Sequence, residues 1–155
     1  MRRLEFISTI PAPLDEVWTF FSNPANLNKI TPSEMNFRII TPLPERMYKG
    51  MMIGYKVSPL PGLRLTWLTE ITQSEDGKLF IDEQRKGPYK IWHHEHHFRV
   101  VEDGVEMRDI LTYDLPAGFI GRMVDVLLVY KRVQAIFAFR EKQIKLLFPA
   151  DKKVK

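Results

Sequence analysis

The last fifth of the chain restricts the fold more than any other segment. Met123, Val126, Leu127, Tyr130, Val133, Phe137, Ile144 and Leu147 recur at helical spacing. They predict one helix of roughly 28 residues, hence about 42 Å long at 1.5 Å per residue. A helix of that length cannot be enclosed by a tight globule of 155 residues. The arrangement that covers its apolar stripe is a curved antiparallel sheet with the helix lying across its open face. A membrane span is excluded for this segment. Arg122, Asp125, Lys131, Arg132, Arg140, Glu141 and Lys142 interrupt it at intervals that hydrocarbon would not tolerate.

Period-two patterns upstream supply the sheet. Leu4, Phe6, Ser8 and Ile10 alternate with Arg3, Glu5, Ile7 and Thr9, and Pro11 and Pro13 end that strand. Leu14, Val17, Trp18 and Phe21 then follow a helical period, with Asp15 and Glu16 in the first turn, where the helix dipole favours them. Asn23-Pro24 reads as a cap with a first-turn proline, opening a second short helix that closes before Pro32. Alternation resumes at Met35, Phe37 and Ile39, at Ile53, Tyr55 and Val57, and at Leu63 through Thr72. Pro59-Leu60-Pro61-Gly62 reads as a turn. Glu75-Asp76-Gly77 and Glu102-Asp103-Gly104 read as hairpin turns between strands over 78–85, 91–101 and 105–115. The order of strand, two short helices, six strands and long helix is an α+β arrangement with helices on one side of an antiparallel sheet.

Chemistry concentrates in one of these strands. All four histidines lie in Trp92-His93-His94-Glu95-His96-His97-Phe98. Alternate side chains of a strand share a face. Trp92, His94, His96 and Phe98 therefore point one way, and His93, Glu95 and His97 the other. Two imidazoles between aromatics on an apolar face need partners or a purpose.

Composition narrows the function classes. The chain carries 23 basic and 19 acidic residues, and its basic residues are dispersed apart from the tail at Lys152-Lys153-Val154-Lys155. Nothing in that pattern marks a nucleic-acid surface. There is no cysteine, which removes disulfides, thiolate catalysis and cysteine-ligated zinc. No apolar signal core follows Arg2 and Arg3, so the expected location is cytoplasmic. The expected organisation is one domain over 1–150 with a charged tail over 151–155.

The order of elements resembles the helix-grip fold of the START-like superfamily, also called SRPBCC and typified by the birch-pollen allergen family. The likeness covers nearly the whole chain. Trp67, Ile71-Thr72, Phe80, Asp82, Gln84, Gly87-Pro88-Tyr89, Trp92, His94, His96, Phe98, Asp109, Tyr113, Pro116, Gly118 and Phe139-Arg140 are similar to a bacterial subgroup. That subgroup occurs alone or fused to epimerase-like domains labelled "cell division inhibitor". No glycine-rich dinucleotide fingerprint is present here, so the fused partner is absent from this sequence. The resemblance implies a seven-stranded sheet wrapped round the C-terminal helix, enclosing a cavity for a hydrophobic or amphipathic small molecule.

In that geometry strand parity turns Trp67, Asp82, Gln84, Trp92, His94, His96, Phe98, Met107, Asp109, Leu111 and Tyr113 inward. The expected walls are Trp67, Trp92, Phe98, Leu111, Tyr130, Val133 and Phe137, with Tyr113 among the ligand-binding residues. The expected polar floor is Asp82, Gln84, His94, His96 and Asp109. Such a floor can be a satisfied structural network, since carboxylates and imidazoles answer one another. It can equally orient the polar end of a ligand. A metal is not expected: His94 and His96 lack further ligands beyond Asp82 or Asp109. No cofactor is expected either. Acid–base catalysis of the cyclase or dehydratase kind has less support than binding, because a pocket with titratable groups does not specify a reaction. A third alternative, suggested only by the fused relatives, is an accessory module for a protein partner. Phe20, Phe21, Phe137 and Phe139 read as core, and Met51-Met52 with the Pro42–Met51 loop as an adaptable cavity mouth.

Overall fold

A computed structural model describes residues 1–60 and 62–150. The strands are β1 (Arg2–Ile10), β2 (Arg38–Ile39), β3 (Met52–Leu60), β4 (Leu63–Glu75), β5 (Leu79–Lys86), β6 (Ile91–Val101) and β7 (Gly104–Asp114). They form one antiparallel sheet in the order β1-β7-β6-β5-β4-β3-β2. Helix α1 (Leu14–Phe21) and two 3-10 segments (Pro24–Ile30, Ser33–Met35) lie between β1 and β2. The C-terminal helix comprises α2 (Gly118–Val124), a π-helical turn (Asp125–Val129) and α3 (Tyr130–Leu147), 30 residues in all. This is the helix-grip fold. The expected tail at 151–155, and Pro61 of the expected turn, lie outside the described residues.

Local chemistry accounts for most of these elements. The burial of β6 and β7 alternates along the strand, so one face of each packs inward. Gly77 and Gly104 take the positive φ that the two hairpins need. At Gly104 a Cβ would stand 2.1 Å from the carbonyl oxygen of Ile10, so only glycine lets β1 and β7 close there. Asn23 Oδ1 accepts the Ala25 amide at the start of the Pro24–Ile30 segment. That segment, expected as a second short helix, is a 3-10 helix.

Three expectations are corrected. Met35 ends a 3-10 turn, so the strand read through Met35, Phe37 and Ile39 shrinks to Arg38–Ile39. Met51 is core, not mouth. It is 1% exposed against Ile53 and Ile71, and Ile71 donates its amide to the Met51 carbonyl. The apolar stripe of the long helix is buried only at Val133, Phe137 and Ile144; Met123, Val126 and Leu127 are exposed. A π turn inserts one extra residue per turn and rotates α2 about the helix axis relative to α3. The stripe therefore loses its phase at Asp125–Val129.

The core has three parts. Ile10, Val17, Phe21, Phe98, Val105, Met107, Ile144 and Phe148 join α1 and the end of α3 to the sheet. Leu111, Tyr113, Val133 and Phe137 pack the middle of the helix on β7. Met51, Ile53 and Ile71 close the β3–β4 end. Between them the helix and sheet do not meet fully, and a cavity remains.

Candidate functional site

The cavity is partly open, with a volume of about 200 Å³. Its walls come from β3, β4, β5, β6, the segment after α1 and the inner face of α3. Trp67, Ile71, Phe80 and Trp92 line its sheet side, and Val133 and Ile136 its helix side. Half-buried Leu27, Met35, Met47 and Arg132 also line the cavity. Met47 comes from the Pro42–Met51 loop and packs against two of the core clusters as well.

Four titratable side chains meet at the floor. Register places Asp82 opposite His94 and His96 opposite Asp109 on adjacent strands. Each carboxylate also reaches the diagonal histidine. His96 Nε2 donates to Asp82 Oδ2 at 2.9 Å, and His94 Nε2 donates to Asp109 Oδ1 at 3.0 Å. His94 Nδ1 stands 3.5 Å from Asp82 Oδ2. His96 Nδ1 is 2.7 Å from Asp109 Oδ1, but off the line of a hydrogen bond, so that approach is purely electrostatic. Phe80 stacks on His96 with ring centroids 4.1 Å apart, and the two imidazoles lie 3.8 Å apart. From the helix, Arg140 Nη1 comes to 3.7 Å from Asp109 Oδ1.

Burial and pairing compete for each group. Burial pushes both carboxyls up, yet hydrogen bonds and charge from the histidines outweigh it and hold Asp82 and Asp109 below the ordinary carboxylate range. Burial pushes His94 down, and the neighbouring His96 charge adds to that. For His96 burial is overcome by Asp109 and Asp82, and its pKa is raised. Of the two imidazoles, His96 therefore holds a proton more readily than an ordinary histidine and His94 less readily. With His96 protonated, the two carboxylates, that imidazolium and Arg140 leave the cluster close to electroneutral.

The structure divides the expected site residues into three groups. Trp67, Asp82, Trp92, His94, His96 and Val133 line the cavity. Asp109 does not, but stands directly behind both histidines. Gln84, Phe98, Leu111, Tyr113, Tyr130 and Phe137 are placed elsewhere. The Gln84 amide is spent on Tyr89: Nε2 donates to its carbonyl and Oε1 accepts its amide, clamping the 84–89 loop. Phe98 packs edge-on against Trp18 beneath α1. Leu111 is wholly buried in the middle cluster, and Phe137 stacks on Phe6. The Tyr113 hydroxyl donates to Asp125, which also accepts from Arg2, while Arg2 covers the Tyr130 ring. Those two tyrosines anchor the π turn to the edge of the sheet.

Sequence reasoning missed several lining residues. Phe20 and Phe21, read as core, contribute to the wall, as do Tyr55, Thr69 and Tyr89. Arg132 and Arg140 are the more consequential omissions. Each carries a buried Nε–H without a partner among the described residues, as does the Trp67 indole Nε1–H. All three residues line the cavity. The one available signal was the pair Arg132 and Arg140, eight residues apart and so on one helix face with Val133 and Ile136.

A helix-grip protein with a charged floor beneath an apolar cavity is the class that fold and site define. No protein-family model matches the sequence, and no curated protein matches it. Solved structures do resemble it. Protein CV1439 from Chromobacterium violaceum superposes with a TM-score of 0.72 at 12% identity, over 96% of this chain and 98% of that one. Ara h 8.0201 gives 0.59 at 12% identity, over 92% and 97%. A nucleoside-diphosphate sugar epimerase from Corynebacterium glutamicum gives 0.63 at 22% identity, over 91% of this chain but 28% of that one. At such identities the likeness establishes the fold.

Proposed function

We propose that this protein binds a small amphipathic molecule in the cavity between sheet and C-terminal helix. The apolar body of the ligand lies against Trp67, Trp92, Val133 and Ile136. Its polar end, bearing acceptor oxygens, meets the donors of Trp67, Arg132 and Arg140. The observation that carries this reading is the set of three buried N–H groups, all on cavity-lining residues and all unpartnered among the described residues. Buried donors are nearly always satisfied, and each left open costs about 1–3 kcal/mol. Three at one cavity fit a site completed by an acceptor-bearing ligand. The volume of about 200 Å³ lies below the roughly 300–1,000 Å³ of typical drug-sized sites. It suits a compact ring system or short chain better than a long-chain lipid.

Two experiments test the proposal. Native mass spectrometry of the purified protein is expected to reveal a co-purifying small organic molecule. Titration with an anilinonaphthalene sulfonate dye is expected to saturate at one equivalent while the protein stays folded. A folded protein that takes up no apolar probe saturably would refute it. The similarity to part of the epimerase supports placing the chain in the bacterial SRPBCC subgroup that occurs fused to epimerase-like domains. A second reading, acid–base catalysis on the bound molecule, is favoured by one feature. The adjacent His94 and His96 are pushed to opposite sides of the ordinary histidine value, which makes a proton donor and a proton acceptor side by side.

A further inference from the structure

The floor brings three side chains of metal-ligating type to one point. Asp82 Oδ2 lies 2.9 Å from His96 Nε2 and 3.5 Å from His94 Nδ1. One donor atom from each of Asp82, His94 and His96 falls within 4.8 Å of the others. Asp109 stands on the opposite side of both rings, 3.0 Å from His94 Nε2 and 2.7 Å from His96 Nδ1. Each imidazole is therefore bracketed, with Asp82 at one nitrogen and Asp109 at the other.

That bracketing fixes the tautomer. His94 donates its Nε2–H to Asp109, so the Nδ1 lone pair faces Asp82. A lone pair aimed at a carboxylate is repelled unless a cation stands between them. The proton on His96 Nε2 relieves only one of the two contacts that Asp82 makes. We propose that Asp82, His94 and His96 form a binding site for a divalent transition-metal ion, which on binding displaces the His96 Nε2 proton to solvent and leaves the ring its Nδ1–H, 2.7 Å from Asp109.

The spacing fits. Two ligands held at 2.0–2.2 Å on a tetrahedral ion stand about 3.3–3.6 Å apart. The two contacts to Asp82, at 2.9 and 3.5 Å, need shifts of only a few tenths of an ångström to match, and the donor atoms of the two imidazoles lie within 4.8 Å of each other. Two imidazoles with one carboxylate suit zinc or ferrous iron, and three protein ligands leave a position open. All three residues line the cavity, whereas Asp109 does not, so the open position faces the space where a ligand would lie. Asp109 takes the part of the carboxylate behind metal-bound histidines, which orients the rings and raises their basicity. Arg140 balances the Asp109 charge from the helix. The expectation of no metal counted only two histidines and an unplaced carboxylate. The register of β5 on β6 supplies the third ligand, and β7 supplies the carboxylate behind.

The test uses untagged protein stripped with a chelator and free of added organic ligand, so its outcome is separate from that of the cavity proposal. Zinc is titrated calorimetrically and cobalt(II) by visible absorption. Wild-type protein is expected to bind one equivalent and to give the ligand-field bands of a four- or five-coordinate cobalt ion. Asp82→Asn should weaken zinc at least 100-fold. Asp109→Asn should weaken it about 10–100-fold. The His93→Ala/His97→Ala double variant, which empties the outer face of the same strand, should bind as the wild type does. Absence of saturable binding by the wild type would overturn the proposal. So would binding lost in the outer-face variant but kept in Asp82→Asn. Should Asp82→Asn fail to fold by circular dichroism, the wild-type cobalt spectrum decides: octahedral, water-like bands would refute the site.

Discussion

Replacing Asp109 by alanine removes a side chain that approaches three buried cationic or potentially cationic partners. Asp109 is 2% exposed; His94 and His96 are 4% and 6% exposed. The substitution deletes the bond from His94 Nε2, the 2.7 Å approach of His96 Nδ1 and the 3.7 Å approach of Arg140. Breaking a buried ion pair by removing one partner costs about 3–5 kcal/mol, because the other charge is left without compensation. Asp82 remains 2.9 Å from His96 and compensates part of the imidazolium, so the lower end, about 3 kcal/mol, is expected. For a protein of this size that is a Tm fall of roughly 6–12 °C. His93→Ala is the control. His93 sits next to His94 on β6 but faces outward, its side chain 35% exposed and paired with Glu83. Exposed pairs are worth about 0–1 kcal/mol, so its loss should be small. Urea melts of both variants, analysed for midpoint and slope, make the comparison. Equal losses in the two variants would show that strand parity does not bury this cluster as described, and the site built on it would fall.

Stability should respond to pH through His96. Its raised folded-state pKa means that its contribution is complete below the unfolded value of 6.5 and is lost as pH rises through the folded one. The stability gap between wild type and His96→Gln, measured by urea melts in chelator, should therefore shrink as pH rises above 6.5; a widening gap would contradict the assignment. Histidine NMR should show His94 neutral to below the ordinary value, with His96 still protonated above it. Trp67→Phe keeps most of the ring but removes the unpartnered Nε1–H, so sulfonate-dye affinity should fall about tenfold, the worth of one hydrogen bond to a charged group. Unchanged affinity would separate the indole from the ligand's polar end. Gly104→Ala forces a Cβ against the Ile10 carbonyl at a positive φ, and chemical denaturation should show a loss of about 2 kcal/mol or more.

Strand parity is a local property, and it carried much of the site. The two-residue period of Trp92 to Phe98 is enough to turn His94 and His96 inward and His93 and His97 outward, and the structure places them so. The same holds for Asp109 on β7, which packs inward. Turn glycines and a long amphipathic helix were equally legible, because hairpin φ angles and helix length depend on a few adjacent residues. Parity cannot say what an inward face meets. Phe98, Leu111 and Tyr113 share the inward faces of the cavity residues, yet α1 and the helix pack directly on them. Gln84 faces in but is consumed by a loop five residues away. Those outcomes depend on where the helix crosses the sheet.

The sequence by itself determined the class of fold and which faces of the central strands are buried, since both follow from short-range periodicity. Tertiary structure decided the rest. The approach of α3 to the sheet brings Arg132 and Arg140 to the cavity. The registers of β5 on β6 and of β6 on β7 set Asp82 before the two imidazoles and Asp109 behind them. Contacts between residues far apart in the chain are set by how whole elements pack, and a shift of one residue in a helix or strand would separate these groups by several ångströms.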